Sequence, residues 1–192
     1  NGVRIAYGKV VPFIATLAML ASARGLAESI ADRKTQIITT QGFTDFFGAE
    51  PLGIPVIVII FALVTLGGWF LLNRTTFGRR TFAVGGNPEA ARLAGINVQR
   101  HTVYLYALLG AACGIAAVML MSRTTTGSST HGTLLELDAI AAVVIGGTLL
   151  TGGRGTVVGT LFGVLIFNTL SNIFTLNNLS TSTQNVAKAG GK

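Results

Sequence analysis

The residues able to do chemistry are few and scattered. The 192-residue chain holds one cysteine, Cys113, and two histidines, His101 and His131. One thiol excludes an internal disulfide and a Cys-rich metal site. The histidines stand apart, with no carboxylate–His pair at metal-ligand spacing, so no metal site is expected. No G-x-S-x-G nucleophile elbow occurs. The stretch TGGRGTVVG (151–159) lacks the Lys-Ser/Thr of a phosphate-binding P-loop, and its glycines run G-x-G-x-x-x-G rather than G-x-G-x-x-G. No catalytic residue and no cofactor are assigned to this chain, and any ATP chemistry must belong to another chain.

Two polar groupings remain. Asn168 and Asn172 stand at i and i+4, on one helical face, with Thr169 and Ser171 beside them in an apolar stretch. A buried Asn is unfavourable unless hydrogen-bonded. The pair therefore either bonds a neighbouring helix or faces a hydrated solute path. The second grouping is FGRRTFAVGGNPEAARLAGINVQR, residues 77–100. Gly85-Gly86 predicts a flexible turn. Asn87 is a good N-cap, Pro88 suits the first helical position, and Glu89 favours the positive end of the helix dipole. Ala90, Ala91, Arg92, Leu93 and Ala94 are helix formers, and Gly95 is placed to stop the helix. A helix of about two turns is expected, ending near Ile96 and Val98. With Leu93 and Ile96 exposed, it is either a docking element for a partner or a helix folded against its own membrane domain.

The elements that must position these groups follow from where charge is missing. Half of the residues are hydrophobic and only 11% are charged, against about 25% in soluble domains. The net charge of +7 comes without a Lys/Arg-rich run, so nucleic acid is not a partner. A helix needs about 20 apolar residues to cross the bilayer core. There are 23 uncharged residues between Glu50 and Arg74, centred on Gly53–Leu72, and 22 between Arg100 and Arg123 if His101 is neutral. Another 33 lie between Arg154 and Lys188, with Val157–Leu176 apolar enough to span. Two shorter segments add to these. Val10–Ala23 could continue to about Ile30 if Arg24 and Glu28 face protein or water. Ala139–Leu150 reads as a half-helix, an interfacial helix or a shielded span, with Gly146-Gly147 suiting a break or a close contact. The expected fold is all-α: a membrane protein of about five spanning or partly spanning helices, organised as one partial transmembrane domain over 1–192.

Loop charges orient these spans. The net charge is +2 before Val10, −1 over 24–52, +4 over 73–100, −1 over 123–138 and +1 at Arg154. This alternation is the positive-inside pattern for five crossings and puts the start, the 73–100 loop and the Arg154 turn in the cytoplasm. The tail's Lys188 and Lys192 would then lie outside, unless a further helix follows. With Asn rather than Met at position 1 and no signal peptide, a fragment from the middle of a longer permease-like chain is expected.

The 25 glycines also suit a membrane, where small residues let helices approach closely. Gly110 and Gly114 are four apart, as are Gly155, Gly159 and Gly163. Each series makes a small-residue stripe, for packing within the chain or for a homodimer contact.

Three stretches carry a family resemblance: PFIATLAMLASARGLA (12–27), FAVGGNPEAARLAGINV (82–98) and ELDAIAAVVIGGTLLTGGRGTVVGTLFG (136–163) followed by FNTLSNIF. Together they cover nearly the whole chain in one register. The chain resembles the membrane subunits of bacterial binding-protein-dependent ABC importers, in the ribose/xylose/simple-sugar permease family. That resemblance implies part of a larger multi-helix permease in the bacterial inner membrane. It implies a second permease copy, cytoplasmic ABC ATPase subunits and a periplasmic sugar-binding protein as partners. It also implies that the 73–100 loop holds the coupling helix, the role falling on Asn87, Pro88, Glu89, Ala90, Ala91, Arg92, Leu93, Ala94 and Gly95. Full members have more helices before Asn1 and one after the present tail. Glu136 and Asp138 match the family's ELDA, as charges at a helix N-terminus or as contacts to solute or binding protein. Competing readings are a permease for branched-chain amino acids, a membrane scaffold without a solute path and, last, an intramembrane enzyme, for which no constellation appears.

Overall fold

A computed structural model of the chain describes residues 1–8, 10–32, 34–37 and 41–176. Lys9, Arg33 and the tail with Lys188 and Lys192, which entered the charge count, lie outside the described residues. The chain divides into two compact units, Asn1–His131 and Gly132–Lys192.

The first unit is built from α1 (Gly2–Ala6), α2 (Pro12–Ile30), β1 (Gln36–Ile37), α3 (Gln41–Gly48), a 3-10 turn (Pro51–Gly53), α4 (Val56–Arg74), α5 (Thr76–Gly86), α6 (Pro88–Leu93), α7 (Val98–Thr124) and β2 (Thr126–Gly127). Among the described residues, α2, α4 and α7 are the helices long and apolar enough to cross a membrane. The shorter N-terminal segment thus becomes one uninterrupted 19-residue helix that runs through Arg24 and Glu28. Proline at its first position has a preset φ and no N–H to leave unpaired. Helix α4 starts at Val56, three residues later than Gly53, because Pro51–Gly53 closes a 3-10 turn and Pro55 precedes the helix. It has no buried residue, and Phe61, Leu63, Leu66 and Phe70 all lie open. A helix apolar all round with no buried residue among the described ones is built for a non-aqueous surrounding.

Local side-chain bonds set the corners. The Thr75 hydroxyl bonds the Leu71 carbonyl at the end of α4 and accepts from the Gly78 amide at the start of α5. The turn is so tight that a Cβ at Gly78 would fall on the Leu72 backbone. Helix α5 runs through Gly85 and Gly86, so the flexible turn expected there is corrected: the chain breaks one residue later, at extended Asn87. Val84, buried one turn earlier, holds that end of α5 in place. The two short strands pair antiparallel, Gln36 with Gly127 and Ile37 with Thr126.

The second unit holds α8 (Leu135–Ile145) and α9 (Val157–Leu176). Helix α9 has the bounds expected from sequence, and Val157–Ile173 is apolar. Helix α8 is displaced from the expected 139–150. It begins at Leu135, with Glu136 and Asp138 in its first turn, and stops at Gly146. Gly147 ends it by taking φ +84°, a left-handed conformation open to glycine without steric penalty. Its 11 residues reach about 16 Å, half of a bilayer core, so α8 alone is too short for a full crossing. The loop behind it uses Gly152 and Gly153 at φ +91° and +78° and closes through the Leu149 amide on the Arg154 carbonyl at 3.0 Å. The glycines of TGGRG serve this turn.

Candidate functional site

The corner formed by α5, α6 and α7 brings several polar residues of the first unit together. Helix α6 is held at both ends by local geometry. The Asn87 side chain accepts from the Ala90 amide at 3.0 Å, and Pro88 occupies the first helical position. At the other end the Gly95 amide donates to the Arg92 carbonyl and the Ile96 amide to the Ala91 carbonyl, both at 3.0 Å. That pair of bonds is a Schellman motif, and it requires the left-handed φ of +82° at Gly95. The helix is therefore six residues, Pro88–Leu93, shorter than expected and closed by Gly95.

Its faces differ. Ala91 is buried, at 4% exposure, whereas Leu93 stands 86% exposed. Ile96 is half-buried. Glu89 and Arg92 pair on the exposed side at 3.1 Å, a solvated i,i+3 pair that contributes little to stability. Ala91 thus seats the small face of α6 inward on its own unit, while Leu93 stands open on the other face.

Two residues, Ile96 and Asn97, separate the Gly95 stop from α7. Asn97 caps α7 by accepting from the Arg100 amide at 3.0 Å. His101, in the next turn, is the buried residue of α7, at 5% exposure. Its Nε2 lies 3.0 Å from the Thr81 hydroxyl of α5, and its ring sits 4.7 Å from that of Phe77. A cavity of about 460 Å³ opens beside it, lined by Thr76, Phe77, Arg80, Gly95 to Asn97, Arg100, His101 and Tyr104. Asn97, Thr81 and the Arg80/Arg100 pair were missed from sequence. The Asn97 cap was legible, as an Asn ahead of a helical run. The arginine pair was not, because twenty positions separate its members and only the α5–α7 packing joins them.

The remaining predicted residues fall elsewhere. Asn168 and Asn172 lie exposed on α9, and the Asn168 amide group donates to the Val164 carbonyl one turn back at 2.9 Å. Gly155, Gly159 and Gly163 face α8 and its loop. A Cβ at Gly159 would strike the Gly146 carbonyl, one at Gly163 the Ala142 carbonyl, and one at Gly155 the Thr148 side chain. Among the described residues, a Cβ at Gly110 or Gly114 on α7 would meet nothing within 4 Å. Among the described residues no group of His, Cys, Asp or Glu could hold a metal ion.

Three long apolar helices and nearly no sheet among the described residues make this an all-α membrane protein. The chain belongs to the family described as branched-chain amino acid transport system / permease component, which matches residues 1–186. Its relatives are more particular. It is 47% identical to the ribose import permease protein RbsC of Bacillus subtilis (strain 168) over 190 residues, 98% of this chain and 59% of that protein. Identity to the RbsC of Escherichia coli (strain K12) is 42% over 196 residues, 98% of this chain and 60% of the relative. The xylose transport system permease protein XylH of the same strain is 46% identical over 136 residues, 71% of this chain and 35% of XylH. The chain thus spans about three fifths of the length of the ribose permeases it matches. No solved structure matches it. The resemblance read from the three motifs agrees with these relatives, and the branched-chain amino-acid alternative is not favoured by them.

Proposed function

We propose that this chain is the membrane-spanning part of a binding-protein-dependent ABC importer that carries a monosaccharide of the ribose or xylose type across a bacterial inner membrane. The observation that carries this reading is the similarity along the chain to permeases named for ribose and xylose. The permease itself does no hydrolysis. ATP is hydrolysed by a separate cytoplasmic ABC ATPase subunit, a second permease copy completes the path, and a periplasmic sugar-binding protein delivers the solute. The excess of arginine in 73–100 supports a cytoplasmic position for that loop.

Helix α6 is the coupling helix of this proposal. Exposed Leu93 is the knob for a groove in the ATPase, and the Glu89–Arg92 pair flanks it. Buried Ala91 and the Schellman closure tie α6 to the start of α7, so a displacement of α6 is passed to a long rigid helix rather than lost in a loop. Uptake then alternates between two arrangements that ATP binding favours unequally. Asn168 and Asn172 are the candidates for contact with the solute.

The test is made in the full-length permease. Leu93→Asp combined with Arg92→Glu is expected to abolish co-purification of the ATPase and reduce sugar uptake to background, while membrane insertion is retained. Unchanged ATPase binding and uptake would remove α6 from the coupling role. Uptake of labelled ribose and xylose against leucine and valine tests the solute class.

A further inference from the structure

The cavity at the α5–α7 corner has a chemistry that sugar transport does not use. Its walls bring Arg80 and Arg100 together with Asn97 and His101, and no acidic side chain lines it. Neither arginine makes an ion pair among the described residues, and the acid of the 73–100 loop, Glu89, pairs with Arg92. Arg80 and Arg100, both exposed, line an open space of about 460 Å³, and arginine suits a phosphate group, whose oxygens accept paired N–H bonds. The position narrows the source. The cavity opens at the first turns of α7, an apolar spanning helix. Tyr104, at its edge, is 60% exposed, and a tyrosine with a wet hydroxyl and an apolar ring belongs at the headgroup level. Beyond Tyr104 the surface of α7 stays apolar and open, with Leu108, Leu109 and Ile115 exposed. A ligand with a phosphate at one end and hydrocarbon at the other fits both parts.

We infer that the Arg80–Arg100 cavity is a binding site for the phosphate headgroup of an anionic phospholipid, with the acyl chains lying along α7. Basic pockets beside spanning helices take headgroups in this way, each arginine near the surface contributing about fivefold in affinity. The site abuts Gly95 and Ile96 at the end of α6, so a bound lipid braces the corner between α6 and α7. The inference does not depend on which solute is carried, so its failure is separable from failure of the sugar assignment.

The full-length permease in detergent is titrated with phosphatidylglycerol and with phosphatidylcholine, and bound lipid is counted by native mass spectrometry. The unaltered protein is expected to prefer phosphatidylglycerol. Arg80→Gln with Arg100→Gln should reduce that affinity about 30-fold, whereas Arg79→Gln, exposed outside the cavity, should leave it unchanged. Should the double variant fail to fold, Arg100→Gln alone is expected to lose about fivefold. Equal binding of the two lipids, or an equal loss in Arg79→Gln, overturns the site. Displacement of the lipid by millimolar inorganic phosphate assigns the cavity to a soluble anion and overturns the lipid. A double variant that keeps its lipid preference but loses the ATPase assigns the arginines to the protein partner and likewise overturns it.

Discussion

Helices α7 and α9 carry glycines at the same four-residue spacing and use them in opposite ways. On α9 the stripe is closed: Gly159 lies against Gly146 and Gly163 against Ala142, backbone on backbone. On α7 the stripe is open: among the described residues, a Cβ at Gly110 or Gly114 would meet nothing within 4 Å. What α7 lacks along its middle it has in its first two turns, where His101 is buried against Thr81 and Phe77. Spacing therefore makes close approach possible, and only a partner helix decides whether it happens. Helix α9 finds that partner a short loop away, whereas on α7 Phe47 and Ile60 border a cavity beside Gly114 without closing on it.

The contrast can be broken most severely on α9. Gly159→Val places a branched side chain on the Gly146 carbonyl, where no rotamer relieves the clash. A loss of about 3 kcal/mol is expected, read as a large drop in the melting temperature of the detergent-solubilised protein. A melt that stays put would mean that the α8–α9 seam is looser than its backbone contacts require. Next in size is His101→Ala, which removes a buried hydrogen bond and a ring contact from α7. A loss of about 2 kcal/mol is expected, with faster amide exchange confined to α5 and the start of α7. Exchange that rises equally in α9 would contradict a local role. Gly110→Ala with Gly114→Ala should have the smallest effect, within about 0.5 kcal/mol, since no atom stands in the way. If stability holds but the particle changes from dimer to monomer in light scattering, a second copy covers the stripe.

These regions also divide what could be read from the sequence. Asn87, Pro88 and Gly95 were legible because capping is local: each acts on amides and carbonyls within a few residues. The bounds of α9 were legible from apolar length alone. The errors arose where packing between elements decides. Gly85 and Gly86 have poor helix propensity, yet α5 continues through them, because Val84 is buried and the Asn87 cap fixes where the next helix starts. Helix α8 begins four residues ahead of the apolar stretch at Ala139, because Glu136 and Asp138 form its charged first turn. That Gly146 is a contact point for Gly159, and that Arg80 and Arg100 share one cavity, depends on which helices lie side by side, and no window of sequence contains that. Nor does the sequence distinguish the closed glycine stripe from the open one.

The length of α7 has a consequence of its own. Its 27 residues measure about 40 Å, some 10 Å more than the hydrocarbon layer. The surplus must be taken up by tilt or left standing among the headgroups. The helix is restrained near both ends, by the His101–Thr81 bond and by the strand pairing at Thr126 and Gly127. Bilayer thickness thus enters as a mechanical variable: a thinner membrane demands more tilt of α7 and turns the α5–α6 corner with it.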